Sequence, residues 1–154
     1  MKNNTRKATI DDLSQLAQLF DEYRMFYHKT SDISGAEEFI SERLEKQDSE
    51  IFVVEEEGKL GGFVQLYPLF SSTRMKRYWL LNDLYVNSNS RGKGYSKILN
   101  DAIIAEARKR NFKKLYLKSD LENYYEKFGA KYIETLKNGE KLYYIDIPTN
   151  RISI

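Results

Sequence analysis

"LYVNSNSRGKGYSKIL", residues 84–99, runs an alternating apolar segment into a polar turn, then a glycine-broken basic loop, then the start of an amphipathic helix. Nucleotide loops of fixed spacing do not account for it. The dinucleotide fingerprint G-x-G-x-x-G would need a third glycine where Lys97 stands, and the phosphate loop G-x-x-x-x-G-K-[ST] would need Lys-Ser or Lys-Thr directly after its second glycine. The ingredients of an anion site are nevertheless present. Gly92 and Gly94 can turn backbone N–H groups toward a ligand, Arg91 and Lys93 add positive charge, and a helix N-terminus follows.

Outward from this loop, the chain reads as alternating helices and strands. "TRKATI" (5–10) is an expected strand leading into Thr9-x-x-Asp12, a capping pattern. Leu13, Leu16, Phe20, Tyr23 and Tyr27 then recur at helical steps, and Ser34-x-x-Glu37 is expected to open a second helix. "EIFVVEE", "KLGGFVQLYPLF" and "RYWLLNDLYV" read as an antiparallel meander, with turns at Glu57-Gly58 and at "SSTRM". A third helix after Arg91 buries Ile98, Leu99, Ala102, Ile103 and Ala107, and "KKLYLKS" returns as a strand. Ser119-x-x-Glu122 is expected to cap a short fourth helix with Leu121, Tyr124, Tyr125 and Phe128 on its apolar face, stopped by Gly129. "AKYIETL" and "EKLYYIDI" around Asn138-Gly139 close the chain as a hairpin, leaving 148–154 as a tail. The expected class is α/β, a mixed, mostly antiparallel sheet of about seven strands with about four helices, in the order β-α-α-β-β-β-α-β-α-β-β.

Composition narrows the chemistry. A length of 154 residues suits one domain with its own core, here 5–147. No cysteine is present and there is a single histidine, which excludes disulfides and thiolate metal sites and leads us to expect no metal. Twenty-five basic residues against twenty-three acidic ones, with the signs interleaved, form no nucleic-acid footprint. The opening "MKNNTRKATIDD" lacks the apolar core of a signal peptide, and no segment approaches the ~20 apolar residues of a membrane span. A cytoplasmic protein without membrane or nucleic-acid partners is expected, and a homodimer is left open. Twelve tyrosines point to amphipathic surfaces or pocket walls.

Two segments carry a family resemblance. "DLYVNSNSRGKGYSKIL" resembles the acetyl-CoA loop of the GNAT superfamily of N-acetyltransferases, [QR]-x-x-G-x-[GA], with Arg91 and Gly94 on pattern and Ser96 where glycine or alanine is usual. "LENYYEKFGAKYIE" (121–134) is similar to the family's "YEKxGF" element, with Ala130 replacing the aromatic. The resemblance implies a GNAT-type fold, acetyl-CoA as cosubstrate and an amine acceptor. It implies that Arg91, Gly92, Lys93, Gly94, Tyr95 and Ser96 hold the pyrophosphate, and that the main chain of Leu84, Tyr85 and Val86 pairs with the pantetheine arm. It also implies Tyr125 as the general acid to the leaving thiolate; an unperturbed phenol, with a pKa of about 10, is protonated at neutral pH and can donate. Packing of the short helix is the alternative for Tyr125.

In the polyamine- and diamine-acetylating branch the strand before the loop reads "LED"; this chain has Leu81-Asn82-Asp83. Asp83 can attract an ammonium and Asn82 cannot take a proton, so either Asp83 works through water or the amine loses its proton to solvent. A turn-satisfied strand residue is the alternative for Asp83. Tyr23 and Tyr27 are candidates for an acceptor wall or for plain core. The lone His28 reads as an exposed loop residue. The expected activity is direct acetyl transfer to a primary amine of a small cationic acceptor. A protein amine, or a catalytically silent acyl-CoA-binding module, is the alternative.

Overall fold

Residues 4–121 and 124–148 are described by a computed structural model of the chain. In chain order they form β1 (Asn4–Lys7), α1 (Leu13–Phe26), α2 (Ile33–Lys46), β2 (Glu50–Glu56), β3 (Lys59–Ser71), β4 (Lys76–Val86), α3 (Tyr95–Lys109), β5 (Lys114–Ser119), β6 (Lys131–Thr135) and β7 (Lys141–Asp146). The strands hydrogen-bond in the order β1-β2-β3-β4-β5-β7-β6. Pairs β1–β2, β2–β3, β5–β7 and β6–β7 are antiparallel. The β4–β5 pair is parallel, with Leu80 opposite Tyr116. Parallel neighbours need a crossover, and α3 supplies it. This is the expected mixed sheet, with one difference: the fourth helix is a single 3-10 turn, Tyr125–Phe128, because Gly129 in the left-handed conformation (φ 85°) stops the chain after one turn.

The chain divides into two compact units, Met1–Leu66 with Asp83–Ala102, and Tyr67–Asn82 with Ile103–Ile154. In the first, Leu16 and Leu19 of α1 and Ile40 of α2 meet Ile51, Val53, Leu60, Phe63 and Tyr85 in a common core. The strand expected over 5–10 ends at Lys7, because Thr9 already belongs to the turn into α1. Asp12 fixes that turn: its carboxylate accepts the Thr9 N–H at 2.8 Å and both terminal nitrogens of Arg6 at 2.8 Å. The Arg6 guanidinium holds this carboxyl below the usual carboxylate range. α2 starts at Ile33 and not after Ser34, because Asp32 is the better cap, its Oδ1 accepting the Gly35 N–H at 2.9 Å. Between the helices, buried Asp21 accepts from Ser31 Oγ and Asp32 N, each at 2.7 Å, and pins the connection.

In the second unit, Leu115 and Leu117 of β5 and Tyr143 and Ile145 of β7 are buried at alternating positions, as half-buried strands require. Trp79 is fully buried and meets the Phe112 ring edge-on at 5.2 Å. Ser119 does not cap a helix; its hydroxyl accepts the Leu121 N–H at 3.0 Å in a local turn, and Leu121 is exposed. Glu122 and the tail past Pro148 lie outside the described residues. The Asn138-Gly139 hairpin forms as expected, with Leu136 N–H donating to the Glu140 carbonyl at 2.7 Å.

Candidate active site

Both halves of the constellation around Asp83 and the glycine loop lie in the first unit. After β4, Asn87 turns the chain: its side-chain oxygen accepts the Asn89 N–H at 2.8 Å and starts a short 3-10 turn over Ser88–Ser90. Gly92 (φ 82°) and Gly94 (φ 76°) adopt left-handed conformations, which their lack of a Cβ allows cheaply. The Gly94 carbonyl accepts the Ile98 N–H at 3.0 Å, so α3 begins directly on the loop. The N–H groups of a helix's first turn have no intrahelical acceptor, which is what an anion site at such a loop would use. A Cβ built on Gly92 or Gly94 would meet nothing within 4 Å, so the loop faces open space. Such a surface fits a pyrophosphate.

The loop's side chains are anchored on the same unit. The Arg91 guanidinium lies 5.8 Å from both the Phe26 and Tyr85 rings, a cation–π arrangement. Burial, then Glu22, pushes the Tyr85 phenol above its ordinary pKa. Glu22 on α1 accepts both bonds from Asn87 Nδ2, at 3.0 and 3.2 Å, tying the helix to the start of the loop. Lys93 Nζ lies 3.7 Å from Glu56, which also accepts a hydrogen bond from the buried Tyr95 phenol. Burial and that carboxylate push Tyr95 up to about 12. Lys93, Tyr95, Asn87, Glu56, Gln15 and Gln18 border a cavity of about 700 Å³. Ser96 is half-buried in the first turn of α3. Leu84 and Val86 are half-buried, alternating with buried Asp83 and Tyr85.

Asp83 is the point at which the structure refines the sequence reading. It is 8% exposed; Tyr23 OH donates to Oδ1 at 2.9 Å, and Gln65 Nε2 donates to Oδ2 at 2.8 Å. Gln65, itself 1% exposed, accepts at its oxygen from Ser49 Oγ at 2.9 Å. Tyr23 packs against the core and its hydroxyl reaches Asp83, whereas Tyr27 departs from the helical core face and is 42% exposed. The Tyr23 ring meets Tyr27 at 5.2 Å, Phe63 at 5.8 Å and Tyr85 at 5.8 Å. His28 ends α1 exposed, in a left-handed conformation (φ 64°).

Asn82 and Tyr125 belong to the second unit. Asn82 is half-buried on β4. Tyr125 is 5% exposed and packs edge-on against Tyr124 at 4.9 Å and beside Phe128 at 6.3 Å. Sequence reading missed Gln65, Ser49, Glu22 and Glu56, together with Gly61 and Gly62 of β3. Only the Gly61-Gly62 pair carried a signal, since adjacent glycines inside a strand mark a bulge or a close backbone approach.

A seven-stranded mixed sheet whose parallel crossover begins at a glycine-rich basic loop is an acetyltransferase architecture. Residues 16–130 match the model of the acetyltransferase (GNAT) family, and the chain belongs to that family. It is 50% identical over 91 residues to the uncharacterized N-acetyltransferase YhfO of Bacillus subtilis, covering 59% of this chain and 61% of that protein. A probable acetyltransferase of Haemophilus influenzae is 35% identical over 81 residues, covering 52% and 56%. Each match thus spans under two thirds of the relative. A crystal structure of a probable acetyltransferase superposes with a TM-score of 0.77 at 32% identity, over 100% of this chain and 99% of that one. The PaiA N-acetyltransferase of Thermoplasma acidophilum, solved with coenzyme A, shares the fold (TM-score 0.69, 19% identity, 95% and 99% covered). Among the described residues no helix is long and apolar enough to cross a membrane.

Proposed function

We propose that the protein transfers an acetyl group from acetyl-CoA directly to a primary amine of a small cationic acceptor, in the manner of the polyamine- and diamine-acetylating branch. The observation that carries this reading is the joining of two features in one unit: the loop Arg91–Ser96 opening on the α3 N-terminus, and an aromatic wall holding a buried carboxylate at the end of the same strand. The loop binds the pyrophosphate through backbone N–H groups and the charges of Arg91 and Lys93. The neutral amine attacks the thioester carbonyl, the C–S bond breaks as the C–N bond forms, and the nitrogen sheds a proton. Tyr125 gives its phenolic proton to the thiolate and regains one from solvent, so the products are the amide and free coenzyme A. Asp83 and the rings of Tyr23 and Tyr27 favour a positively charged acceptor; Asn82, lacking a basic atom, takes no proton.

The test is release of free thiol from acetyl-CoA with a panel of diamines, polyamines, amino sugars and monoamines. Amine-dependent release fastest with dicationic acceptors is expected, with Tyr125→Phe lowering kcat about 10²-fold. Tight acetyl-CoA binding with no release for any amine would instead make the protein a silent binding module.

A further inference from the structure

We propose that Glu22 of α1 is the positioning residue of the glycine loop: a carboxylate that strengthens the binding of an anionic cofactor by fixing where the loop begins. The inference rests on the loop's part in holding the coenzyme A pyrophosphate and adds which residue outside the loop sets its shape. Asn87, at which β4 turns into the loop, is the point of contact, and four hydrogen bonds meet there. Its N–H donates to the Gly61 carbonyl at 2.8 Å, its own carbonyl accepts the Ser90 N–H at 2.9 Å, and its side-chain oxygen accepts the Asn89 N–H at 2.8 Å. Those three tie the turn to itself and to β3. The fourth reaches α1, where both Glu22 oxygens accept from Asn87 Nδ2, at 3.0 and 3.2 Å.

The direction of this contact is fixed at both ends. The Asn89 N–H can only donate and an ionised Glu22 can only accept, so the Asn87 amide has one orientation that satisfies both. A second contact repeats the first one helical turn on. Phe26 follows Glu22 by four residues, Arg91 follows Asn87 by four, and the Arg91 guanidinium lies 5.8 Å from the Phe26 ring. One face of α1 therefore holds the loop at its start and again at the residue before Gly92. Electrostatics alone would not put an acid here. A negative charge beside a loop that receives a diphosphate opposes binding, by about twofold for one screened charge near the surface. A hydrogen bond to a charged acceptor, however, is about twice as strong as one between neutral groups. Repulsion and positioning thus act on the cofactor with opposite signs, which makes them separable.

The experiment is calorimetric titration of coenzyme A into wild type, Glu22→Gln, Glu22→Met, Asn87→Ser and the Glu22→Met/Asn87→Ser double variant, with denaturation of each ligand-free protein alongside. Glu22→Met removes charge and acceptor together and should raise the coenzyme A Kd about tenfold. Glu22→Gln keeps an oxygen for Asn87 Nδ2, so it should stay within about threefold of wild type. Asn87→Ser retains a capping oxygen for the Asn89 N–H but loses the nitrogen that reaches Glu22, and should match Glu22→Met. In that background Glu22→Met removes a charge that no longer positions anything, so it should lower the Kd about twofold instead of raising it. A general loss of packing would weaken binding in both backgrounds and would not be rescued by glutamine.

Tighter binding in Glu22→Met on the wild-type background would mean that Glu22 acts on the anion through its charge alone, and the proposal fails. An equal loss in both backgrounds, or no change in either, overturns it too. If Glu22→Met does not fold, Asn87→Ser decides: an unchanged Kd in that variant overturns the proposal. A wild-type protein that binds no coenzyme A would overturn the reading of the loop as well, which separates the two failures.

Discussion

Two glycine pairs in the first unit serve opposite ends. Gly92 and Gly94 have positive φ and open space where a Cβ would stand. Gly61 and Gly62 have no positive φ and no room: a Cβ on Gly61 would lie 2.3 Å from the Tyr95 ring, and one on Gly62 would lie 2.8 Å from the Tyr85 carbonyl oxygen. The first pair is there for its backbone conformation, the second for its missing atom. Gly61 is also the extra residue of a β-bulge, since Val54 faces Gly62 while Glu55 faces Leu60, and its carbonyl accepts the Asn87 N–H at 2.8 Å. The loop thus begins where the strand beneath it has been made thin.

The largest effect expected from this contrast is on stability. In Gly62→Val the obstructing atom is a backbone carbonyl, which cannot swing aside, so β3 and β4 must separate locally. A loss of about 3 kcal/mol is expected from chemical denaturation, the upper end for overpacking. A loss below about 0.5 kcal/mol would show that the strands yield freely and that the contrast is unfounded.

Next comes Gly94→Ala, where space is ample and only the dihedral resists. Holding an L-residue in the left-handed region costs about 1–2 kcal/mol. If the loop relaxes to escape that strain, its N–H groups turn away from the ligand and acetyl-CoA affinity falls about tenfold. Calorimetry alongside denaturation reads both. A variant with full affinity and full stability would mean that the loop's conformation is not what glycine provides.

The same contrast explains what could be read from the sequence and what could not. The loop was legible because its determinants are local: glycines, cations and a helix start within a dozen residues, joined to a strand pattern of period two. The element order followed from the same kind of local signal, and the errors fell where local signals competed, as when Asp32 outbid Ser34 for the cap of α2. The Ser49–Gln65–Asp83–Tyr23 chain was not legible, because its members are 16, 18 and 60 residues apart and each looks ordinary in its own segment. Gln65 in particular reads as one polar residue in an apolar strand. Only the placing of β4 beside β3 turns it into a support for a carboxylate.

The smallest effect concerns the ring that fills the space above Gly61. Tyr95 is buried and donates to Glu56, and its pKa is pushed up to about 12 by burial first and by that carboxylate second. The native state thus holds this proton more tightly than the unfolded chain, whose phenols titrate near 10. Between about pH 10 and 12 the unfolded state loses the proton while the native state keeps it. The contact's stabilising share is therefore complete below pH 10 and disappears as pH rises through 12. Spectrophotometric titration of the twelve tyrosines should show a late phenol that is absent from Tyr95→Phe, and the variant should lose less stability than wild type over that pH interval. Glu56→Gln keeps the acceptor oxygen but removes the charge, so it should move the late phenol back only part of the way, burial being the larger cause. A full return to 10 in Glu56→Gln would reverse that order and make Glu56, not the close fit over Gly61, the reason Tyr95 holds its proton.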